Sequence, residues 1–256
     1  MSFEHEVGIH NNFQLTDKIK NVIKIEKGDI TFGAINPSSN KIYLSYQSLN
    51  FILVVDINTK NILDKIPVNS PEQIQINHTT NMVYVIANGK VTIIDGSTNK
   101  ITKELEEYSS FARFLSVDPL KNLLYVSYHN ESDRSRKKDP INSVLSFDWS
   151  SHLKIGEINQ GLDEPEGLVV DPQSNLIYVA NSRINTISII DGSKFERIND
   201  TIKIPYLKDH WYDIGGSSWQ RLDNIAMFNN NKKLLYIVGA IGASGGAEEV
   251  NILTSS

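Results

Sequence analysis

The chain has 256 residues, of which 40% are apolar and 21% charged, so it can bury a substantial core and is not disordered throughout. Its formal net charge of −5 argues against a general nucleic-acid binder, which needs clustered positive charge. The absence of cysteine excludes disulfides, thiolate metal ligands and thiol nucleophiles, and no apolar run approaches the about 18 residues of a membrane span. The first residues lack the features of a secretory signal, so we expect a cytoplasmic protein.

The chain begins with a polar stretch, residues 1–15, that we expect to be a tail outside the folded domain. An isolated run rich in isoleucine follows in residues 16–27. A motif of an Asn or Asp, six further residues and a Tyr then recurs five times. Its members are Asn36 with Tyr43, Asn77 with Tyr84, Asp118 with Tyr125, Asp171 with Tyr178, and Asn229 with Tyr236. This regular spacing indicates a repeat architecture.

Each repeat is built from short runs rich in Val, Ile, Leu and Tyr. The run after each tyrosine ends at Asp56, Asp95, Asp148, Asp191 or, in the fifth repeat, Thr254. Turn residues separate the runs, and we expect tight turns at the two Asp-Gly steps that follow Asp95 and Asp191. Each repeat therefore predicts four antiparallel strands, the composition of one β-propeller blade. We expect the five tyrosines to pack between blades, with their hydroxyls on polar partners.

The predicted fold is an all-β, five-bladed propeller in a single domain of residues 16–256. The fifth repeat lacks a fourth strand, whereas Ile19, Ile23 and Ile25 have the spacing found in the fourth strand of the fourth repeat. We therefore predict that residues 16–27 complete the last blade and close the ring, which removes an exposed sheet edge. The predicted blades are residues 29–69, 70–109, 110–161, 162–206, and 221–256 together with 16–27.

The segments KIYLS, MVYVIANGKVTIIDGSTNKI and PEGLVVDPQSNLIYVANSRINTISIIDGSKFERI resemble the YVTN family of β-propeller repeats. The resemblance covers residues 29–206 well and residues 221–256 loosely. Members of that family often have seven blades, so the five repeats here are a departure: either a five-bladed ring or a shortened one, with the complementary ends favouring five. The family includes surface-layer, periplasmic and cytoplasmic proteins, so the resemblance implies a fold and no particular reaction.

Three insertions interrupt the repeats, at residues 128–142, 207–223 and 239–249. In a propeller, all three emerge on one face, and loops on a rigid scaffold are where binding residues concentrate. The second insertion carries aromatic and charged groups that suit a sugar, a heterocycle or a protein hot spot, although the favoured interpretation of its tryptophans is that they plug the channel or cover a gap between blades. The predicted ligand-binding residues are His129, Arg134, Arg136, Asp209, His210, Trp211, Tyr212, Asp213, Trp219 and Arg221.

Catalytic and metal chemistry have little support in the sequence. The six histidines are scattered, so we expect no metal and no cofactor, although His129 and His210 could approach each other across the insertion-bearing face. No nucleophile motif is present. Glu72 and Glu166, each in a Pro-Glu step just ahead of a predicted first strand, could form a carboxylate pair at the channel rim, but a turn is the simpler interpretation.

Three functional hypotheses follow. The leading one is a non-catalytic binding or scaffold propeller that presents its loop-rich face to a protein or small ligand, with no nucleic acid and no membrane span. The alternative is a hydrolase or lyase that acts on a small molecule or glycan at the channel mouth, which requires two carboxylates or a His–carboxylate pair within reach of each other. The third is a structural module of a cell-envelope assembly.

Overall fold

The computed structural model describes residues 28–105, 107, 111–130, 141–203, 219–228, 234–242 and 247–254, and this part of the chain is all-β. Within these ranges the chain forms 19 strands in five antiparallel sheets, with one 3-10 turn at Gln47–Leu49. From residue 219 onward the description concerns the backbone. The described ranges contain no helix with the length and apolar character needed to span a bilayer.

Four of the sheets contain four strands each, paired in chain order. The first comprises β1 (Ile30–Asn36), β2 (Lys41–Tyr46), β3 (Phe51–Asp56) and β4 (Ile62–Pro67). The second comprises β5 (Pro71–Asn77), β6 (Met82–Ala87), β7 (Lys90–Asp95) and β8 (Lys100–Leu105). The third comprises β9 (Ala112–Asp118), β10 (Leu123–His129), β11 (Asn142–Asp148) and β12 (Leu153–Ile158). The fourth comprises β13 (Pro165–Asp171), β14 (Leu176–Asn181), β15 (Thr186–Asp191) and β16 (Glu196–Lys203). These sheets confirm the prediction of four-stranded antiparallel repeats.

The fifth sheet has three strands among the described residues: β17 (Trp219–Phe228), β18 (Leu234–Gly242) and β19 (Ala247–Thr254). The fourth strand that we expected here from residues 16–27 lies outside the described residues, so that prediction stays open.

Two of the predicted insertions are shorter than the sequence suggested. The segment 207–223 was expected to be a connection, but β17 begins at Trp219, which pairs with Gly242. The segment 239–249 was expected to be a loop, but β18 and β19 run through most of it, with Ile241 paired to Ala247. The reason is that a longer hairpin ladder satisfies backbone N–H and C=O groups that a loop leaves to water.

In the second, third and fourth sheets, the Asn or Asp of the repeated motif shapes the turn between the first and second strands, whereas in the first sheet the side-chain amide of Asn36 donates to Oδ1 of Asn81. The Oδ1 atom of Asn77 accepts hydrogen bonds from the backbone N–H groups of Thr79 and Thr80, at 2.9 and 3.2 Å. The turn ends in the left-handed region, with φ of 56–59° at an asparagine in all four sheets: Asn40, Asn81, Asn122 and Asn175. Asparagine tolerates this conformation better than most residues, which explains its recurrence just before the second strand.

The aspartate that ends each third strand shapes a second turn by the same means. The Oδ1 atom of Asp148 accepts hydrogen bonds from the backbone and hydroxyl groups of Ser150 and Ser151, at 2.6–3.1 Å. The hydroxyl of Ser150 and the other donors lower the pKa of Asp148 to about 2. After Asp191, the left-handed residue is Phe195 and not Gly192. Glycine is required at position 192 for space, because a Cβ there would lie 2.8 Å from Oδ1 of Asn175.

Three of the repeated tyrosines, Tyr43, Tyr84 and Tyr125, pack against the following sheet, as predicted. The ring of Tyr125 stacks on Phe195 of the following sheet with 6.1 Å between centroids, and Tyr84 meets His152 edge to face at 6.4 Å. The hydroxyl of Tyr43 donates to the carbonyl of Gly96 at 3.3 Å, and burial raises its pKa to about 12. For the hydroxyls of Tyr84 and Tyr125, the described residues supply no hydrogen-bond partner, and burial raises the pKa of both groups.

Apolar cores fill the spaces between consecutive sheets. Between the first and second sheets, Ile52 and Val54 pack with Ile74, Val83 and Val85, all 1% exposed or less. The first strands of the five sheets are neighbours in chain order, β1 beside β5, β5 beside β9, β9 beside β13, and β13 beside β17. The turns described above lie at the ends of these first strands, which we call the lower face. The opposite end, where the first strands begin, is the upper face.

Candidate binding site at the upper face

The connections at the upper face differ from sheet to sheet. Between second and third strands they comprise residues 47–50, 88–89, 130–141 and 182–185. In contrast, the turns between first and second strands at the lower face repeat one hydrogen-bonding pattern in the second, third and fourth sheets. Variation in length and composition is therefore concentrated on the face where the sequence analysis placed the binding site.

Each first strand also carries a β-bulge close to its upper end. The register shifts lie between Ile30 and Phe32, Pro71 and Ile74, Ala112 and Phe114, Pro165 and Leu168, and Leu222 and Asn224. A bulge adds a residue that the neighbouring strand does not match, and this redirects side chains. The residues at these irregularities include Thr31, Glu72, Arg113, Glu166 and Asp223. Four of these five are ionisable, and all belong to the innermost strands.

His129 links two of these positions. It is the last residue of β10, and its side chain is 1% exposed. Its Nε2 atom lies 2.6 Å from Oε1 of Glu166 on the fourth sheet, where the ring N–H can donate to the carboxylate. Its backbone carbonyl accepts a hydrogen bond from Nε of Arg113 at 3.1 Å. One buried residue thus holds both a guanidinium and a carboxylate at the upper face.

A similar contact, from the end of a second strand to a glutamate of the next sheet, occurs between the first and second sheets. The side chain of Gln47, which occupies the position of His129 in its repeat, donates to Oε1 of Glu72 at 3.4 Å. The preceding serines match as well: Ser45 donates to the backbone carbonyl of Glu72 at 2.7 Å, and Ser127 to that of Glu166 at 2.6 Å. Each glutamate is therefore positioned by a Ser-Tyr-Gln or Ser-Tyr-His segment on the preceding sheet.

The charges of Glu72, Arg113 and Glu166, here called the Glu–Arg–Glu cluster, influence one another across three sheets. Burial raises the pKa of the Glu72 carboxyl, Arg113 opposes that rise, and Glu166 adds to it. Nε of Arg113 donates to the backbone carbonyl of His129, whose side chain contacts Glu166. The cluster therefore brings charges of both signs to the first strands of three consecutive sheets.

Ser127 and His129 both contact Glu166, but the three residues do not have the geometry of a hydrolytic triad. Nε2 of His129 contacts the carboxylate, whereas a triad histidine uses that atom on the serine. The hydroxyl of Ser127 instead accepts from the backbone N–H of Phe114 at 3.1 Å and donates to the carbonyl of Glu166. Ser127 is fully buried and serves the backbone, as Ser45 does. In the part of the chain that is described, no group of three His, Asp or Glu side chains could hold a metal ion.

Of the predicted ligand-binding residues, His129 is described in full. Trp219 and Arg221 lie on β17 near its upper end, where they pair with Gly242 and Ala240. The remaining members lie outside the described residues: Arg134, Arg136, Asp209, His210, Trp211, Tyr212 and Asp213. The suggested approach of His129 to His210 therefore stays a prediction.

At this site the sequence analysis misplaced two residues and missed a third. Glu72 and Glu166 were placed in turns ahead of the first strands, but each is the second residue of a strand, β5 or β13. The strands begin earlier because Ser70 and Glu164, both with positive φ, complete the preceding turns. Arg113 was missed, although it occupies the same position in its repeat as the two glutamates.

Comparison with known proteins gives structural neighbours only. No protein-family model matches the chain, and no curated protein sequence matches it. The hydrazine synthase of Kuenenia stuttgartiensis superposes with a TM-score of 0.70 at 14% identity, over 96% of this chain and 67% of that one. U3-55K superposes with a TM-score of 0.62 at 12% identity, over 86% of this chain and 63% of that one. The WD40 repeats of RRP9 give a TM-score of 0.65 at 12% identity, over 88% and 63%.

These neighbours have folds of the β-propeller, WD40 type, and the consecutive four-stranded antiparallel sheets of this chain have the same architecture. The chain spans about two thirds of the length of each of these solved chains. At identities of 12–14% the likeness concerns the fold.

Proposed function

We propose that the chain is a non-catalytic binding or scaffold propeller whose upper face takes a protein or small ligand. The contrast between its two faces carries this proposal. The lower face repeats the same turns, whereas the upper face combines variable connections with the Glu–Arg–Glu cluster. WD40-type neighbours support a role in interaction, since propellers of that kind commonly present one face to partners.

The proposal includes a ring of five blades of the YVTN type in one domain of residues 16–256, with residues 16–27 as the closing strand. The first sheet supports it. Tyr46, Leu53 and Val55 form their own cluster, separate from the core shared with the second sheet, and are 0%, 0% and 1% exposed. Burial of both faces of the first sheet is what a neighbour on its far side would produce.

Site-specific photo-crosslinking tests which face binds. Benzoylphenylalanine replaces Ile184, which is 42% exposed at the upper face, or Leu120, which is 69% exposed at the lower face. We expect a partner to cross-link from position 184, to be identified by mass spectrometry and reproduced with purified components, and not to cross-link from position 120. A Trp211→Ala/Trp219→Ala variant should lose that partner while remaining folded. Cross-linking from position 120 alone would contradict the proposal.

A second candidate, a hydrolase or lyase at the upper face, is favoured by one observation: the His129–Glu166 contact is the type of pair that it requires. The full chain would be assayed against aryl glycosides and aryl esters, beside a Glu166→Gln variant that keeps the side-chain shape and removes the carboxylate of the pair. Turnover that is lost in the variant would establish this candidate. Turnover absent from the unmodified chain would leave the binding function.

A further inference from the structure

The sequence contains a single Asn-Gly step, and it forms the tip of the hairpin between β6 and β7 at the upper face. Both residues have positive φ, 50° at Asn88 and 70° at Gly89, as in the two-residue turn that this dipeptide favours. The ladder closes at the pair of Ala87 with Lys90, so the peptide bond between Asn88 and Gly89 lies outside it. Asn88 is exposed.

These features suit the cyclisation of an asparagine, which is one of the thermolabile residues of proteins. In that reaction the backbone nitrogen of the next residue attacks the side-chain amide carbon. Glycine leaves the approach open because it has no Cβ. Exposure at a hairpin tip admits the base and the water that the reaction consumes.

The turn is anchored to its neighbours through other atoms. The backbone N–H of Asn88 donates to the carbonyl of Ser70 at 3.2 Å, and the carbonyl of Gly89 accepts from the N–H of Ala112 at 2.7 Å. Neither hydrogen bond involves the two reacting atoms, which are the nitrogen of Gly89 and Cγ of Asn88.

The two Asp-Gly steps of the chain could form the same cyclic imide, but their reacting atoms are held. The glycine N–H donates to a backbone carbonyl in both, from Gly96 to Asn81 at 2.8 Å and from Gly192 to Asn175 at 2.9 Å. The carboxylate of each aspartate accepts from the next two backbone N–H groups of its turn, at 2.7–3.3 Å. The Asn-Gly step is therefore the one that we expect to react.

We infer that Asn88 is a site of spontaneous deamidation and isomerisation. The nitrogen of Gly89 loses its proton to a base and bonds to Cγ of Asn88, the Cγ–Nδ2 bond breaks, and the amide nitrogen leaves as ammonia. Water then opens the imide, at Cγ to give aspartate or at the main-chain carbonyl carbon to give isoaspartate. The overall reaction consumes water and releases ammonia, without oxidation or reduction.

Either product changes the upper face. Both add a negative charge there. Isoaspartate also routes the main chain through Cβ, which displaces Gly89 from its hydrogen bond with Ala112, the residue before Arg113. This chemistry needs no ligand, so it is independent of the proposed binding function.

Peptide mapping of the folded chain, incubated at mildly alkaline pH, tests the inference. Trypsin releases residues 66–90, which contain Asn88 together with Asn69. Asn69 is an internal control, because it is also exposed but the N–H of the following Ser70 donates to Oδ1 of Asn50 at 2.8 Å. A sample digested without incubation gives the background.

We expect the mass gain of amide-to-acid conversion at Asn88, located by fragmentation. Isoaspartyl methyltransferase should label the same peptide with methyl groups from S-adenosylmethionine. Conversion should be roughly tenfold or more faster at Asn88 than at Asn69, which corresponds to an activation free energy lower by about 1.4 kcal/mol. The rate should rise with pH, because the nitrogen of Gly89 must lose its proton.

Asn88→Gly is the matched variant, since it removes the amide and glycine accepts the positive φ of this turn. Its peptide 66–90 should not be labelled. Three results would overturn the inference: an intact Asn88 in the folded chain, equal conversion at Asn69 and Asn88, or unchanged labelling in Asn88→Gly. Conversion confined to a synthetic peptide of residues 66–90 would show that the folded hairpin protects Asn88.

Discussion

The side chain of Gln73 completes a two-way hydrogen bond with the backbone of Leu115 on the neighbouring first strand, donating to the carbonyl at 3.0 Å and accepting from the N–H at 2.7 Å. Gln73 is 4% exposed, and Leu115 is fully buried. β9 is the end strand of its sheet, so its outer edge has no paired strand, and the Gln73 amide satisfies both backbone groups of Leu115 there. The contact therefore acts as a junction between the second and third sheets.

Replacing Gln73 with Ala should lower the free energy of unfolding by about 2–4 kcal/mol, because a buried donor and a buried acceptor lose their partner. Gln73→Glu should be worse at neutral pH, since a carboxylate oxygen would face the carbonyl of Leu115, and it should recover in acid as the carboxyl protonates. Urea denaturation of both variants measures this. Wild-type stability in Gln73→Ala would show that the junction contributes nothing.

The position of His129 is occupied by Gln47 in the first repeat, so His129→Gln is a conservative variant. His129→Gln should reproduce the Gln47–Glu72 contact and cost less than His129→Ala, which we expect to lower stability by about 2–4 kcal/mol through a lost hydrogen bond and a cavity. Denaturant titration measures both changes. Equal losses in the two variants would mean that volume, and not the contact with Glu166, determines the effect.

The turn at Asp148 predicts a pH dependence. Hydrogen bonds lower the pKa of this carboxyl from 3.8 to about 2 in the folded state, so its ionised form is stabilised by folding. That contribution is fully present above the unfolded pKa of 3.8 and is lost as the pH falls through about 2. Asp148→Asn should therefore be less stable than wild type at neutral pH, with a difference that narrows between about pH 4 and 2.

Chemical denaturation of both proteins across this pH range measures the difference. Asp56→Asn, at the same position in the first sheet, is a second case, because hydrogen bonds from Thr59 lower its pKa as well. A difference that stays constant down to pH 2 would contradict the assignment.

Removal of residues 1–27 tests closure of the ring. If residues 16–27 pair with β19, their loss exposes a sheet edge and removes several backbone hydrogen bonds of roughly 1 kcal/mol each. The shortened chain should aggregate or melt at a clearly lower temperature. A control that lacks residues 1–15 should melt like the full chain. An unchanged melting temperature after removal of all 27 residues would exclude the closing strand.

The sequence was informative where structure is local. Asn77 and Asp148 accept hydrogen bonds from residues two and three positions later, so the turns that they form can be recognised from the repeated spacing alone. The tyrosines were also predictable, because a large ring with a hydroxyl suits the space between sheets. The Glu–Arg–Glu cluster was not, since its members are about 40 to 50 positions apart and converge through bulges that no local pattern reveals.

Sheets built from strands that follow one another along the chain have a kinetic consequence. Nearly all ladder hydrogen bonds connect segments that are neighbours in sequence, so little loop-closure entropy opposes their formation. During synthesis, one meander can assemble before the next leaves the ribosome. Contacts such as Gln73 with Leu115 and Tyr125 with Phe195 would then form as each new sheet packs against the sheet that folded before it.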